Sequence, residues 1–226
     1  MEQTVSKIFS DLDTSADIFD EQLLPFFESW EELIYEVRTP TQAEHDNPPG
    51  VLIYISPKPG AKMPTAWGEV LDKHNLIWVG AQNSGNEVHV ARRVGFALLA
   101  SEIAAAQVDA IDTSRIFLTG FSGGGRVASM MMPEYPERFA GTIFICGANP
   151  MFNAPQDVLD TLAQVPMVFL TGTGDFNLED TKMAISTYQY AGLDKAQLMV
   201  VDGLGHALPE AQDLDTALQS FVLSVS

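Results

Sequence analysis

From Leu33 onward, short apolar and β-branched runs alternate with longer stretches whose apolar residues recur at helical spacing. Seven runs read as strands: Leu33 to Arg38, Val51 to Ile55, Leu76 to Gly80, Arg115 to Thr119, Thr142 to Cys146, Pro166 to Thr171 and Gln197 to Val201. The last five read as buried parallel strands, since a strand covered on both faces carries apolar residues at consecutive positions. Helices are predicted over Val88 to Gln107, Gly124 to Met132, Gln156 to Gln164, Leu178 to Ala191 and Pro209 to Val225. This alternation predicts an α/β fold, a mostly parallel central sheet with helices on both faces. Ligands of such sheets bind beyond the carboxyl ends of the strands, so motifs in those loops take priority. The Pro- and Gly-containing stretches Asn47 to Gly50 and Pro57 to Pro64 read as turns or loops.

The segment before Leu33 has a different character. Its apolar residues Ile18, Phe19, Leu23, Leu24, Phe26 and Phe27 suit a short amphipathic helix packed on the domain, ended by Pro25 or the turn after it. The first 36 residues hold ten acidic side chains against Lys7 alone, half of the net charge of −18. Residues 1–32 therefore read as an acidic N-terminal extension packing on the core, and residues 33–226 as a single domain. With 226 residues, 46% hydrophobic and 19% charged, the chain has the length and composition for one globular core.

The charge also narrows the partners. A surface of −18 repels phosphate backbones and anionic lipids, so neither nucleic acid nor membrane is expected. Cys146 is the only cysteine, which excludes an intrachain disulfide, a CxxC redox pair and a thiolate zinc cluster. No apolar run reaches 18 residues, and the acidic N-terminus lacks the basic region of a leader peptide. Localisation stays open, the cytoplasm being favoured over export after leader removal, and the oligomeric state is open too.

The chemistry concentrates where the strand Arg115 to Thr119 runs into Gly120-Phe121-Ser122-Gly123-Gly124 and a helix follows. This is G-x-S-x-G in a strand-turn-helix setting: the turn is sharp enough to strain the serine, and small residues two before and two after let strand and helix approach. A serine hydroxyl needs a histidine base oriented by a carboxylate. Of the four histidines, His45 lies in a polar turn, His74 precedes a strand and His89 opens a helix. His206, in Gly203-Leu204-Gly205-His206 after the last strand, is at the right sheet edge. Asp175, ending Thr171-Gly172-Thr173-Gly174-Asp175, follows a strand directly; a helix N-cap is its other reading, and Asp180 and Asp202 are rival acids.

The order Ser122, Asp175, His206, each on a loop after a late strand, resembles that of the α/β-hydrolase superfamily. More narrowly, the compact layout over residues 33 to 226 looks like the esterases grouped with polyhydroxybutyrate depolymerases, feruloyl esterases and dienelactone hydrolases. The resemblance implies acyl transfer with Ser122 as nucleophile, His206 as base and Asp175 as its orienting carboxylate, with no cofactor and no metal. The N–H of Gly123 would be one oxyanion donor. Many relatives carry His-Gly after the early strand, whereas this chain has Ser56-Pro57, and Pro57 has no N–H. Ser56 becomes the candidate second donor and Lys58 the runner-up.

Asn149 to Gln164, where a lid could be inserted, has 16 residues, too few for a cap domain. The site is therefore expected to be open, suited to short-chain or aryl esters and to exposed ends of ester polymers. A serine peptidase or amidase on the same fold is one alternative; a non-catalytic binding protein, motivated by the missing His-Gly, is another. No G-x-G-x-x-G, G-x-x-x-x-G-K-[ST] or H-E-x-x-H occurs. Among the remaining residues, Asn83 and Ser84 read as turn formers, Met130 to Met132 as core filler, Cys146 as buried and inert, and Arg126 as a surface ion-pair residue. Trp67 reads equally as pocket wall or core.

Overall fold

Every residue of Gly50–Ile55 is buried, with Val51, Ile53 and Ile55 in one apolar cluster and Leu52 and Tyr54 in another. Successive side chains of a strand point to opposite faces, so two clusters mean a sheet with a core on each side. The computed structural model describes residues 2–4, 26, 33–41 and 47–223. The strands are β1 (Glu2–Thr4), β2 (Ile34–Arg38), β3 (Gly50–Ile55), β4 (Leu76–Ala81), β5 (Ile116–Phe121), β6 (Gly141–Ile145), β7 (Met167–Gly172) and β8 (Ala196–Val201). The helices are α1 (Gly68–Lys73), α2 (Val90–Ala105), α3 (Gly123–Glu134), α4 (Gln156–Leu162), α5 (Leu178–Tyr190) and α6 (Ala211–Leu223).

The strands form one sheet in the order β1-β2-β4-β3-β5-β6-β7-β8, parallel from β4 to β8 and antiparallel where β2 meets β4 and β1. One face is covered by Phe96 and Ile103 of α2, Val127 and Met131 of α3, Leu162 of α4 and Tyr188 of α5. The other is covered by Leu71 of α1 and by Leu214, Leu218 and Phe221 of α6. The mostly parallel α/β architecture read from the sequence is the one observed, with most element ends displaced by a residue or two.

Four features depart from expectation. β1 is too short to show a pattern and becomes a strand by pairing with β2, Gln3 opposite Tyr35. The short helix α1, entered through a 3₁₀ turn at Thr65–Trp67, follows a stretch dominated by Pro and Gly and was not expected. β3 belongs with the buried parallel strands, between β4 and β5. β8, expected to be buried, has only β7 beside it among the described residues, and as an edge strand leaves Leu198 and Val200 exposed. The expected helix over Ile18 to Phe27 lies outside the described residues apart from Phe26, whose ring stacks on His89 with centroids 4.5 Å apart.

The strand order also locates the site. From β3 the chain passes through α1 to β4 on one side, whereas from β5 it passes through α3 to β6 on the other. The loops after β3 and β5 diverge, and the crevice they leave is the topological switch point where α/β sheets bind ligands.

Candidate active site

Ser122 caps α3 with φ 54° and ψ −117°, a left-handed conformation that costs a non-glycine residue of order 1–3 kcal/mol and persists only where its surroundings over-determine it. Here the constraint is backbone on both sides: the Ser122 N–H donates to the Ile145 carbonyl at 2.7 Å, and the Arg126 N–H donates to the Ser122 carbonyl at 3.1 Å. The flanking glycines make the turn sterically possible. A Cβ at Gly120 would lie 2.4 Å from the Gly124 carbonyl, and one at Gly124 would lie 1.9 Å from the Ile55 carbonyl oxygen.

The loop after β8 brings His206 to this serine. Its Nε2 is 2.9 Å from Ser122 Oγ, and its Nδ1 is 2.7 Å from Asp175 Oδ1 on the loop after β7. With Nδ1–H donating to the carboxylate, Nε2 is left as the acceptor of the serine hydroxyl proton. The three side chains singled out by motif order are therefore one hydrogen-bonded chain, assembled from residues 31 and 84 positions distant from His206. The rival acids are elsewhere: Asp180 pairs with Arg126 across the surface at 3.4 Å, and Asp202 accepts from the Thr173 hydroxyl at 3.2 Å. The surface pairing read for Arg126 is the one present.

Asp175 is buried, and burial alone disfavours a carboxylate. Hydrogen bonds from the Asn177 N–H at 3.0 Å and the Thr171 hydroxyl at 2.7 Å, with His206 and Cys146, outweigh it and hold the carboxyl below its usual range. Thus Asp175 is ionised beside the imidazole, the condition for steadying an imidazolium. The reading of Asp175 as an N-cap gives way to Asn177, which holds the N-cap position of α5 and donates its side-chain amide to the Cys146 carbonyl at 2.8 Å.

Cys146 is the main surprise. It has φ 53° immediately after β6, and its thiol lies under the loop of His206, 3.5 Å from the Ala207 carbonyl oxygen. Sulfur, Asp175 carboxylate and His206 ring nitrogen all lie within 4.8 Å of one another. Burial, and then the neighbouring Asp175, push the thiol up to about 12. Protonated, the thiol packs beneath the His206 loop and is a weak donor to Asp175. In the folded protein Cys146 is expected to resist Ellman's reagent at pH 8 and to react fully once denatured. Rapid stoichiometric labelling of the native protein would show the thiol to be accessible instead.

Rings enclose the histidine. Phe176 lies 4.0 Å from the His206 ring centroid and Phe121 5.0 Å, while Phe176 itself is 77% exposed. An exposed aromatic plane beside His206 can receive an apolar or aryl group. A mainly apolar groove of about 850 Å³ runs between Val90 and Val94 of α2, Met130 of α3 and the exposed Phe152, without including Ser122, Asp175 or His206. Among the described residues no cap domain covers this edge of the sheet: after β6 come a loop and the seven-residue α4. Trp67 is core, buried on Trp78 and donating to the Pro209 carbonyl. Met131 and Met132 are core as well, whereas Met130 is 45% exposed.

The oxyanion candidates are placed as follows. Gly123 opens α3 directly after Ser122, so its N–H belongs to the free first turn of a helix. Ser56 is buried at the end of β3; its hydroxyl donates to the Gly60 carbonyl at 2.8 Å and accepts from the Lys58 N–H at 3.0 Å.

The model of the phospholipase/carboxylesterase family of α/β-hydrolases matches residues 47–221, a span that contains all three hydrogen-bonded side chains. The chain belongs to this family. It is similar to acyl-protein thioesterase 1 homolog 2 of Dictyostelium discoideum, 23% identical over 148 residues that make up 65% of this chain and 63% of that protein. Among solved structures, a ferulic acid esterase matches with a TM-score of 0.65 at 17% identity, over 85% of this chain and 91% of its own. An acylaminoacyl peptidase of Pyrococcus horikoshii matches with a TM-score of 0.61 at 11% identity, over 84% of this chain and 38% of that one. At such identities the likeness is one of fold, and this family member spans less than two thirds of both the thioesterase homologue and the peptidase.

Thr171, Asn177, Cys146 and Phe176 were not anticipated as parts of the site. Thr171 had a signal, since it ends the strand that leads to Asp175. Asn177 is local as well, its N–H closing a turn on Asp175 Oδ1 two residues back, whereas Cys146 and Phe176 meet His206 only through tertiary packing. No helix among the described residues is long and apolar enough to cross a membrane.

Proposed function

We propose that this family member is a serine hydrolase that cleaves small carboxylic esters through an acyl-enzyme. The observation that carries the reading is the chain Ser122 Oγ, His206 Nε2 and Nδ1, Asp175 Oδ1, with contacts of 2.9 and 2.7 Å, mounted on a strained turn at the switch point of the sheet. Ser122 Oγ bonds to the ester carbonyl carbon as its proton passes to His206 Nε2, and the carbonyl oxygen becomes an alkoxide facing the Gly123 N–H. Collapse of that intermediate breaks the bond to the leaving alcohol, which takes the proton from His206. Water then gives a proton to His206 and attacks the acyl group, releasing the acid and restoring Ser122.

The open sheet edge and the exposed ring of Phe176 beside the base support short-chain or aryl esters, including exposed ends of ester polymers. The similarity to an acyl-protein thioesterase homologue adds thioesters, which the same triad serves with a thiol leaving group. We further propose that residues 1–32 pack on this domain, supported by the pairing of β1 with β2 and the stacking of Phe26 on His89.

The direct test is a fluorophosphonate probe followed by peptide mapping, since it needs both an activated serine and a formed oxyanion site. Adduct at Ser122 in the intact chain, lost in His206→Ala, is the expected result. Folded protein that stays unlabelled, or is labelled elsewhere, would overturn the assignment and leave a binding protein as the reading to pursue.

A further inference from the structure

The alkoxide formed at Ser122 needs more than one donor, and the loop after β3 is poorly equipped to supply the second. Pro57 and Pro59 have no N–H, the Lys58 N–H is used internally by Ser56 Oγ, and Ser56 is only 2% exposed. The loop after β4 is laid across it. Asn83 N–H donates to the Pro59 carbonyl at 2.6 Å and Asn86 N–H donates to the Pro57 carbonyl at 3.0 Å. Buried Arg93 ties both loops from below, donating through Nε to the Ser84 carbonyl at 3.0 Å and through a terminal nitrogen to the Ser56 carbonyl at 2.9 Å. Gly85 is pressed against Lys58 and Pro59 so closely that a Cβ there would lie 2.8 Å from backbone carbon.

These bonds deliver one side chain to the serine turn. The carboxamide of Asn86 lies on the Cα of Gly123, where a Cβ would come within 2.1 Å of Oδ1 and 2.8 Å of Nδ2. Asn86 is exposed, and its side chain makes no hydrogen bond among the described residues. Thus an amide with free donors, held by a braced loop, sits against the residue whose N–H faces the developing charge. A neutral side-chain amide is a competent oxyanion donor, and removing one such donor costs about 10²–10³ in kcat.

We infer that the side-chain amide of Asn86, laid on Gly123 by the interlocked loops after β3 and β4, is the second donor to the oxyanion formed at Ser122. This inference rests on the serine hydrolase reading above. It also accounts for glycine after the nucleophile: any side chain at 123 occupies the place of the amide. Asn86 is a catalytic residue in this scheme, and Arg93 a positioning residue that holds both loops.

The test is steady-state hydrolysis of p-nitrophenyl acetate by the full chain and its variants, alongside inhibition by an aryl trifluoromethyl ketone, which forms an oxyanion on the serine. Asn86→Ala is expected to lower kcat by about 10²–10³ with KM changed less than about threefold, and to weaken the ketone by a similar factor. Asn86→Asp, which replaces a donor by a negative charge, should be no better than alanine. Gly123→Ala should lose activity comparably in the wild-type background and nothing further in Asn86→Ala, because the amide it displaces is already gone. An Asn86→Ala variant with kcat and ketone affinity within about threefold of the wild type overturns the inference. A wild-type chain without Ser122-dependent turnover overturns the hydrolase reading itself, so the two failures are distinguishable.

Discussion

His206→Ala is expected to reduce turnover of a p-nitrophenyl ester by about 10⁶, as much as Ser122→Ala, with the double variant no slower than either. The reason lies in the geometry: among the described residues Ser122 Oγ has one base within hydrogen-bond reach, Nε2 of His206 at 2.9 Å, and the hydroxyl is inert until that nitrogen accepts its proton. Removing either group abolishes the same step, so their losses do not add. Asp175→Asn should fall between, at about 10⁴, because the imidazole keeps a partner on Nδ1 but loses the negative charge that stabilises its cation. Burst titration, which counts competent sites, checks all four proteins against circular dichroism for folding. An Asp175→Asn variant near wild-type activity would mean that Asp175 only positions the ring. Retention of more than a few per cent activity in His206→Ala would require another base and sink the assignment.

Gly124→Ala should lower stability by about 3 kcal/mol or more, above the usual cost of one added methyl group in a packed core. The intruding Cβ would meet the carbonyl oxygen of Ile55 at 1.9 Å and its carbon at 2.7 Å, and both contacts are backbone. A flexible side chain could swing away, but the end of β3 cannot, since Ile55 is held in register opposite Gly120 of β5. Either α3 lifts from the sheet or β3 is displaced, and each moves the serine turn away from His206. For a chain of this size the change corresponds to a fall of about 6–12 °C in Tm, measurable by calorimetry. Activity should fall with it even at temperatures where the variant remains folded. A variant with wild-type Tm would show that strand and helix leave room for a Cβ at 124.

Much of the fold is legible in the chain. The consecutive apolar residues of β4, β5, β6 and β7 announce strands covered on both sides, and the alternation with helical periods leaves few alternatives to a parallel α/β sheet. Apolar composition alone does not decide burial. Gln197 to Val201 is as apolar as an inner strand, but it stands at the edge, and a strand's place in a sheet is decided by its neighbours. For the helix Gly68–Lys73 the cue was weak: six residues after a Pro-rich loop carry too little periodicity, and its stability comes from Val70 and Leu71 packing on the sheet.

The site divides in the same way. Ser122, Asp175 and His206 each carry a local mark, a glycine frame or a turn directly after a strand, because backbone strain and sharp turns restrict which residues can stand beside them. Those marks specify their order and the sheet edge that they share. Local sequence carries no such mark for Cys146 beneath the histidine loop, Phe176 on the imidazole or Asn86 on Gly123. Each depends on where a loop returns after a crossover, and these contacts join residues tens of positions apart, down different strands of the sheet. Chemistry confined to a turn can be read from neighbouring residues, whereas the environment that tunes it is set only when the sheet closes and the loops interlock.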